Sequence, residues 1–275
     1  MAVNLALKYS KEVDTRFRLK SLTDIAVGVK HDFIGVVTVR VFGFTAQPLN
    51  DYSRTGANRY GTPSELQDVV QELTLTKDRG VPITVDKGNY MQGMELKKAG
   101  EIVTMQMDEV FTPELDTYRL AKMAAAATSN SRVATAAITA SNAYDKFLDG
   151  GVSLDNDQVP TEGRVAFVTP TFYKFIKQDV TAIMATESGQ KVKFSGMMGE
   201  LDGVKIVKVP SNRMPANAAF IIIHPSCFAS PKTLNEIKVD DKPQGISGML
   251  IEMRFIYDAF VMDQRKLAIW YHKVA

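Results

Sequence analysis

Apolar residues fall along this chain in rhythms that change several times. From 33 to 45, FIGVVTVRVFGFT alternates: Val37, Val39 and Val41 take one face, and Thr38, Arg40, Phe42 and Phe44 the other, the period-two pattern of a strand. A second β-forming stretch, VVQELTLTKDRGVPITVD (69–86), sets Leu73 and Leu75 against Thr74 and Thr76; Gly80 and Pro82 interrupt it before Ile83 and Val85 resume. Together they predict a long hairpin over 33–86, with arms of ten or so residues reaching roughly 33 Å at about 3.3 Å per residue. Its end, NDYSRTGANRYGTP (50–63), is almost without apolar side chains. Thr62, Pro63 and Glu65 have the spacing of a capping box, so one or two helical turns are expected after the tip.

Helical spacing appears on both sides of this hairpin. Before it, SKEVDTRFRLKSLTDI carries Val13, Phe17, Leu19, Leu22 and Ile25 among charges, which predicts a short amphipathic helix needing another surface. After it, residues 89–111 put Met94, Ile102 and Met105 on one stripe and Leu96, Ala99, Val103, Met107 and Val110 on a neighbouring one. Pro113 bends or restarts this helix, which continues to about Ala127. VATAAITASNAYDKFLD predicts another helix, stopped by Gly150–Gly151. RVAFVT (164–169) reads as a strand, and 169–179 as a helix capped by Thr169 with Pro170 in its first turn. GVKIVKVP (203–210) and the run ending at His224 are further strands, so 132–240 reads as an α/β unit. Three β-forming runs within 248–274 predict an antiparallel meander packed on the long helix.

The composition is that of a globular chain: 275 residues, 45% hydrophobic and 23% charged, with a net charge of +2. That balance is unlike a strongly basic nucleic-acid binder, although Lys8, Lys11, Arg16, Arg18, Lys20 and Lys30 crowd the first thirty residues. One cysteine, Cys227, allows neither an intrachain disulfide nor a cysteine-rich metal site, and suits a reducing compartment. No signal peptide is expected at residues 1–10, and the longest apolar runs, such as AFIII (219–223), are too short to cross a bilayer.

Candidate chemistry is sparse. His31, His224 and His272 do not stand at metal-ligand spacing from one another or from Cys227, and the familiar hydrolase, zinc-protease, P-loop and dinucleotide motifs are not found. His224 precedes Cys227 by three residues; a thiol–imidazole nucleophile is one reading, a small buried thiol after a strand the favoured one. Asp108, Glu109, Glu114 and Asp116 read as a solvated face with favourable charge at a helix start. DNDQ (155–158) lacks the glycine and spaced glutamate of a calcium loop. No catalytic residue, cofactor or metal is therefore expected. The tip is different: Tyr52, Arg54, Arg59 and Tyr60 are the residue types enriched where protein surfaces meet.

Five segments together carry a resemblance: KYSKEVDTRFRLKSLT (8–23), NDYSRTGANRYGTPSEL (50–66), FTPELDTYRLAKMA (111–124), GRVAFVTPTFYKFIK (163–177) and DGVKIVKVPSNRMPAN (202–217). The chain resembles, over essentially its whole length, the major capsid proteins of tailed bacteriophages of the Hong Kong 97 type. The resemblance implies an α+β fold with an N-terminal arm (1–32), an extended hairpin called the E-loop (33–86), a peripheral domain of long spine helix and antiparallel sheet (87–131 and 241–275), and an α/β axial domain (132–240). It implies a virion protein, assembled in the bacterial host cytoplasm, whose copies form pentamers and hexamers of an icosahedral shell around double-stranded DNA. Tyr52, Arg54, Arg59 and Tyr60 would then grip a neighbouring copy, and Arg16, Arg18 and Lys20 would face a neighbour or the packaged DNA without sequence preference. A separate scaffolding protein, a portal and a decoration protein are the implied partners, with no membrane. Some members of the family link a lysine in this loop to an asparagine of a neighbour; here no lysine lies between Lys30 and Lys77, so no such link is expected. The rival readings are a shell resembling the encapsulin nanocompartments, and a soluble enzyme with a small-molecule site in 132–240.

Overall fold

The computed structural model describes residues 20–29, 37–88, 99–178, 199–241 and 243–275. In chain order the strands and helices are β1 (Thr38–Phe44), β2 (Asp68–Thr74), β3 (Lys77–Asp86), α1 (Ala99–Gln106), α2 (Thr112–Ser129), β4 (Val133–Thr135), α3 (Ala143–Asn156), β5 (Val165–Val168), α4 (Pro170–Gln178), β6 (Glu200–Leu201), β7 (Val204–Lys208), β8 (Ala218–Ile223), β9 (Phe228–Ala229), β10 (Lys232–Asp240), β11 (Gly248–Tyr257), β12 (Phe260–Val261) and β13 (Ile269–Lys273).

A six-stranded mixed sheet, ordered β4-β13-β8-β5-β7-β6, forms one layered unit. Every residue of β5 and β8 is buried, as expected for strands covered on both faces. One face packs Val165, Phe167, Ile221 and Ile223 against Leu120, Met123 and Ala127 of α2. The other packs Ala166, Phe220 and Ile222 against Phe147 of α3 and Phe172 and Ile176 of α4. Thr169 caps α4 as its sequence predicts, accepting a hydrogen bond from the Phe172 amide at 3.3 Å.

A three-stranded antiparallel sheet, β10-β11-β3, forms the second unit. Ile251, Met253, Phe255 and Tyr257 on one face of β11 lie against Ile102, Val103, Met107, Phe111 and Leu115. The helix here is not uniform: Met107–Phe111 is a π-helical turn joining α1 to α2, with Pro113 just beyond it, in the first turn of α2. A residue series at i+4 drifts around a regular α-helix; the wider turn absorbs that drift, so Val103, Met107, Phe111 and Leu115 keep to one line while Val110, expected on that face, is 47% exposed. The rod from Ala99 to Ser129 therefore serves both units, the small sheet with its first half and the large sheet with its second.

Four expectations are corrected. The predicted hairpin ends at Thr74: β1 and β2 pair with each other, whereas β3 pairs with β11 along its whole length. The cause sits at Thr76, whose amide and hydroxyl both donate to the buried Asp258 carboxylate at 2.8 Å, diverting the chain into the second sheet. The C-terminal runs are no meander, since β11 joins β10 and β3, β12 joins β9, and β13 lies between β4 and β8; a strand buried on both faces needs a central place, which β13 finds only in the large sheet. The helix predicted from Val133 begins at Ala143, because the β-branched start pairs in parallel with β13, and it runs through Gly150–Gly151 to Asn156. A Cβ on Gly150 would stand 2.7 Å from Trp270 Cδ1, so this glycine is there for close packing rather than termination. Last, Thr62, Pro63 and Glu65 start no helix: the segment is exposed and its one large apolar residue, Leu66, is 56% exposed, so no face is available to bury.

Of the predicted N-terminal helix, the part before Lys20 lies outside the described residues, as do Met94 and Leu96. Residues 20–29 hold a single 3-10 turn at Asp24–Ala26.

Candidate intersubunit surface

Strands β1 and β2 make a two-stranded ribbon about 23 Å long at roughly 3.3 Å per residue, and its two faces have opposite fates. The face carrying Val39, Val41 and Leu73 sits on Ala229, Phe260 and Met262, with Leu73 1% exposed. Gln71 locks it there: its amide donates to the Val261 carbonyl at 2.9 Å and accepts from the Asp263 amide at 3.0 Å. Asp258 fixes the foot. Burial would raise its pKa, but hydrogen bonds from Tyr118, the Ala259 amide and Thr76 outweigh that and hold the carboxyl below the usual range.

The opposite face is open. Phe42 is directly across from Val70, and Phe44 follows two residues on; they are 65%, 48% and 63% exposed. Below them Arg40 donates to Glu72 at 2.8 Å, and the Thr38 and Thr74 hydroxyls meet at 2.9 Å. Two aromatic rings in open water on a ribbon are the kind of apolar patch that marks a contact surface.

At the ribbon's end, Ser53 closes a loop by donating its amide to the Arg59 carbonyl at 2.9 Å. Asn58 adopts φ 57° and Gly56 φ 89°, left-handed conformations that glycine and asparagine tolerate. Tyr52 and Tyr60 meet edge to face with ring centroids 5.0 Å apart, and the Arg59 Nε donates to the Gly56 carbonyl at 3.3 Å. Tyr52, Arg54, Arg59 and Tyr60 are thus gathered at one exposed end, and among the described residues the hydrogen bonds of 45–67 stay within that segment. Of the basic candidates, Lys20 is exposed, and Arg16 and Arg18 lie outside the described residues.

Tip composition pointed to Tyr and Arg, and overlooked Phe42, Phe44 and Val70. The signal was present in the alternation, where Phe42 and Phe44 share the face of Thr38 and Arg40.

The other candidates resolve into structural roles. Asp116 is 0% exposed, not part of a solvated face; it accepts from Arg213 Nη1 at 2.9 Å and from Ser21, Thr23 and the Leu22 amide. Glu114 accepts from the Tyr257 hydroxyl at 2.9 Å and pairs with Arg79 at 3.0 Å. In DNDQ, Asp155 pairs with Arg164 and Asp157 with Arg132. Burial pushes the Cys227 thiol up to about 12, and His224 Nδ1 lies 2.7 Å from the Ser226 hydroxyl, so the pair is not arranged as a nucleophile and its base. A cavity of about 330 Å³ between α4 and the segment before β8 is lined by apolar residues such as Ile138, Phe172, Phe175 and Met214 and by the uncharged polar residues Thr169, Thr171, Ser211 and Asn217; no Asp, Glu, His, Lys, Arg or Cys side chain lines it to serve as acid, base or nucleophile. Among the described residues no group of three or more His, Cys, Asp or Glu side chains could hold a metal ion, and no helix is long and apolar enough to cross a membrane.

No protein-family model matches the chain, and no curated protein does. Solved structures do. A chain from the capsid structure of the cyanophage P-SCSP1u superposes with a TM-score of 0.80 at 13% identity, covering 99% of this chain and 93% of that one. A chain in the asymmetric unit of the bacteriophage PhiM1 mature capsid gives 0.79 at 13% identity, covering 99% and 92%. A chain from mycobacterium phage Che8 gives 0.71 at 16% identity, covering 98% of each. The chain has the fold of these proteins, end to end.

Proposed function

We propose that this chain is the major capsid protein of a tailed bacteriophage, a structural subunit that assembles with copies of itself into an icosahedral head enclosing double-stranded DNA. The observation that carries the reading is the ribbon β1–β2: it is clamped to its own body on one face and presents Phe42, Phe44 and Val70 to solvent on the other. A lone chain gains nothing by exposing them, whereas a neighbouring copy would bury them. Full-length likeness of fold to chains of phage capsid structures supports the same reading.

In this reading the ribbon and its tip form the E-loop, with Tyr52, Arg54, Arg59 and Tyr60 at the rim of the contact. The rod and the three-stranded sheet form the peripheral domain, and the six-stranded sheet the axial domain, which meets its equivalents in pentamers and hexamers. One such contact is modest, and many held at once make a closed shell durable. The protein then acts by shape and not by catalysis. Arg16, Arg18 and Lys20 meet the packaged DNA through salt-sensitive phosphate attraction. A scaffolding protein, a portal and a decoration protein complete the particle, formed in the host cytoplasm. Sedimentation and negative-stain microscopy of the purified chain at rising concentration, with and without a scaffolding protein, test the proposal: capsomers or closed shells are expected, and single copies under every condition would overturn it.

A further inference from the structure

The three-stranded sheet has two edges, and they are made differently. β3 carries Gly80 and Pro82, and a proline removes an amide that a further strand would need. β10 carries neither: Lys232–Asp240 reads KTLNEIKVD, and among the described residues it pairs with β11 alone. Its outward amides and carbonyls are the open side of a strand, on which another strand can build.

The side chains of this edge fall into two layers. Ile237 is directly across from Met253, and Val239 from Ile251, so all four share the face that meets the rod. Met253 and Ile251 are buried, whereas Ile237 and Val239 are 42% and 44% exposed: the apolar layer reaches β10 and is left uncovered there. The other face is charged and alternates in sign. Asp78 accepts from Arg254 Nη2 at 2.6 Å. Arg254 is directly across from Glu236, and Glu252 from Lys238, with Lys238 Nζ 3.8 Å from the Glu252 carboxylate.

We propose that β10 is a self-pairing edge: two copies of the chain join their β10 strands antiparallel about a two-fold axis through Ile237, and their three-stranded sheets become one. Such an axis keeps each face on its own side and makes every contact reciprocal. Residues 234–240 of the two copies then pair, with Ile237 of one copy across from Ile237 of the other, which covers the open end of both apolar layers. Glu236 of each copy lies across from Lys238 of the other. The row Asp78, Arg254, Glu236 therefore runs on into Lys238 and Glu252 of the second copy with no break in the alternation of sign. Moving the axis to Glu236 or to Lys238 would set that charge against its own equivalent, which is destabilising. The contact uses neither β1 nor β2, so the inference does not rest on the shell reading, and either can fail without the other.

Cross-linking tests the register. The full chain is used with Phe42→Ser throughout, so that the ribbon does not bring copies together. Directly opposed residues of antiparallel strands have Cα atoms about 4.5–5.5 Å apart, within the reach of a disulfide, and the chain's own Cys227 is buried. Ile237→Cys should therefore give a covalent dimer on mild oxidation. Val239→Cys should not, because its two copies lie four residues apart along the strands, roughly 13 Å at about 3.3 Å per residue. Charge supplies the second arm, read by sedimentation. Glu236→Lys sets lysine against lysine at both ends of the contact and Lys238→Glu sets glutamate against glutamate, so each alone should weaken the dimer about tenfold or more. An equal mixture of the two variants restores opposite charges at both ends and should dimerise again. Equal cross-linking at 237 and 239, no cross-link at 237, or a mixture no better than either variant alone would overturn the proposal.

Discussion

Replacing Phe42 by serine separates folding from assembly. Phe42 is 65% exposed in the single chain, so the substitution removes little that the fold itself uses. If a fully covered aromatic side chain hides roughly 200 Å² and each Å² is worth about 25 cal/mol, covering the exposed part of Phe42 in a neighbour contact is worth about 3 kcal/mol. Loss of that amount from one contact weakens it by about two orders of magnitude. Because each copy presents its ribbon once, the concentration at which capsomers and shells appear should rise by a comparable factor. Light scattering across a dilution series gives that threshold, and a thermal melt of the unassembled chain supplies the control: its midpoint should stay within the error of the wild type. An unchanged threshold would refute the assignment of the apolar face to the interface. A threshold that rises while the midpoint falls would refute the claim that the ring is idle in the single chain.

Three further outcomes follow from side chains inside the body. His272 is buried, stacked on Phe220 at 5.1 Å, and burial lowers its pKa below 6.5; the unfolded chain takes up a proton that the fold resists, so stability is full above about pH 6.5 and falls below it. Urea midpoints of wild type and His272→Phe should therefore diverge in slope between pH 7.5 and 5.5, with the variant the flatter. Gly150→Ala drives a Cβ to 2.7 Å from Trp270 Cδ1 and should cost about 1–3 kcal/mol by denaturant titration, whereas at Gly151 the nearest atom to a Cβ is Asp202 Oδ2 at 3.9 Å and alanine should stabilise by roughly 0.5–1 kcal/mol. Asp116→Ala takes the carboxylate from Arg213, Ser21, Leu22 and Thr23 at once, and should lower stability by about 3–5 kcal/mol in the same titration.

Where sequence and structure agree, the signal is local. The runs at β5 and β8 are apolar without alternation because both faces are covered, and the alternation of Val39, Val41 and Leu73 matches a strand with one covered face. What escaped is decided at a distance. Asp116 carries no mark of burial in its own helix, since the groups that bury it lie more than ninety residues away, in Ser21, Leu22, Thr23 and Arg213. Which strand joins which is equally non-local: β3 follows β2 after two residues yet pairs with β11, because one buried aspartate captures Thr76. Val110 was misplaced for a geometric reason, the π turn that resets the helical phase. The open apolar face was legible in the spacing of Phe42 and Phe44, but a count of residue types at the tip drew attention past it.

Strand β13 has a further bearing on how copies of this protein come into being. It fills the gap between β4 and β8, and β4 precedes this partner by nearly half the chain. A polypeptide emerging from the ribosome thus holds β4 for some time without its partner and β8 with one side open, and such long-range closure comes late in folding. Until it happens, the backbone groups along one side of β8 have no strand to pair with, so the six-stranded sheet is finished only after β13 has been made.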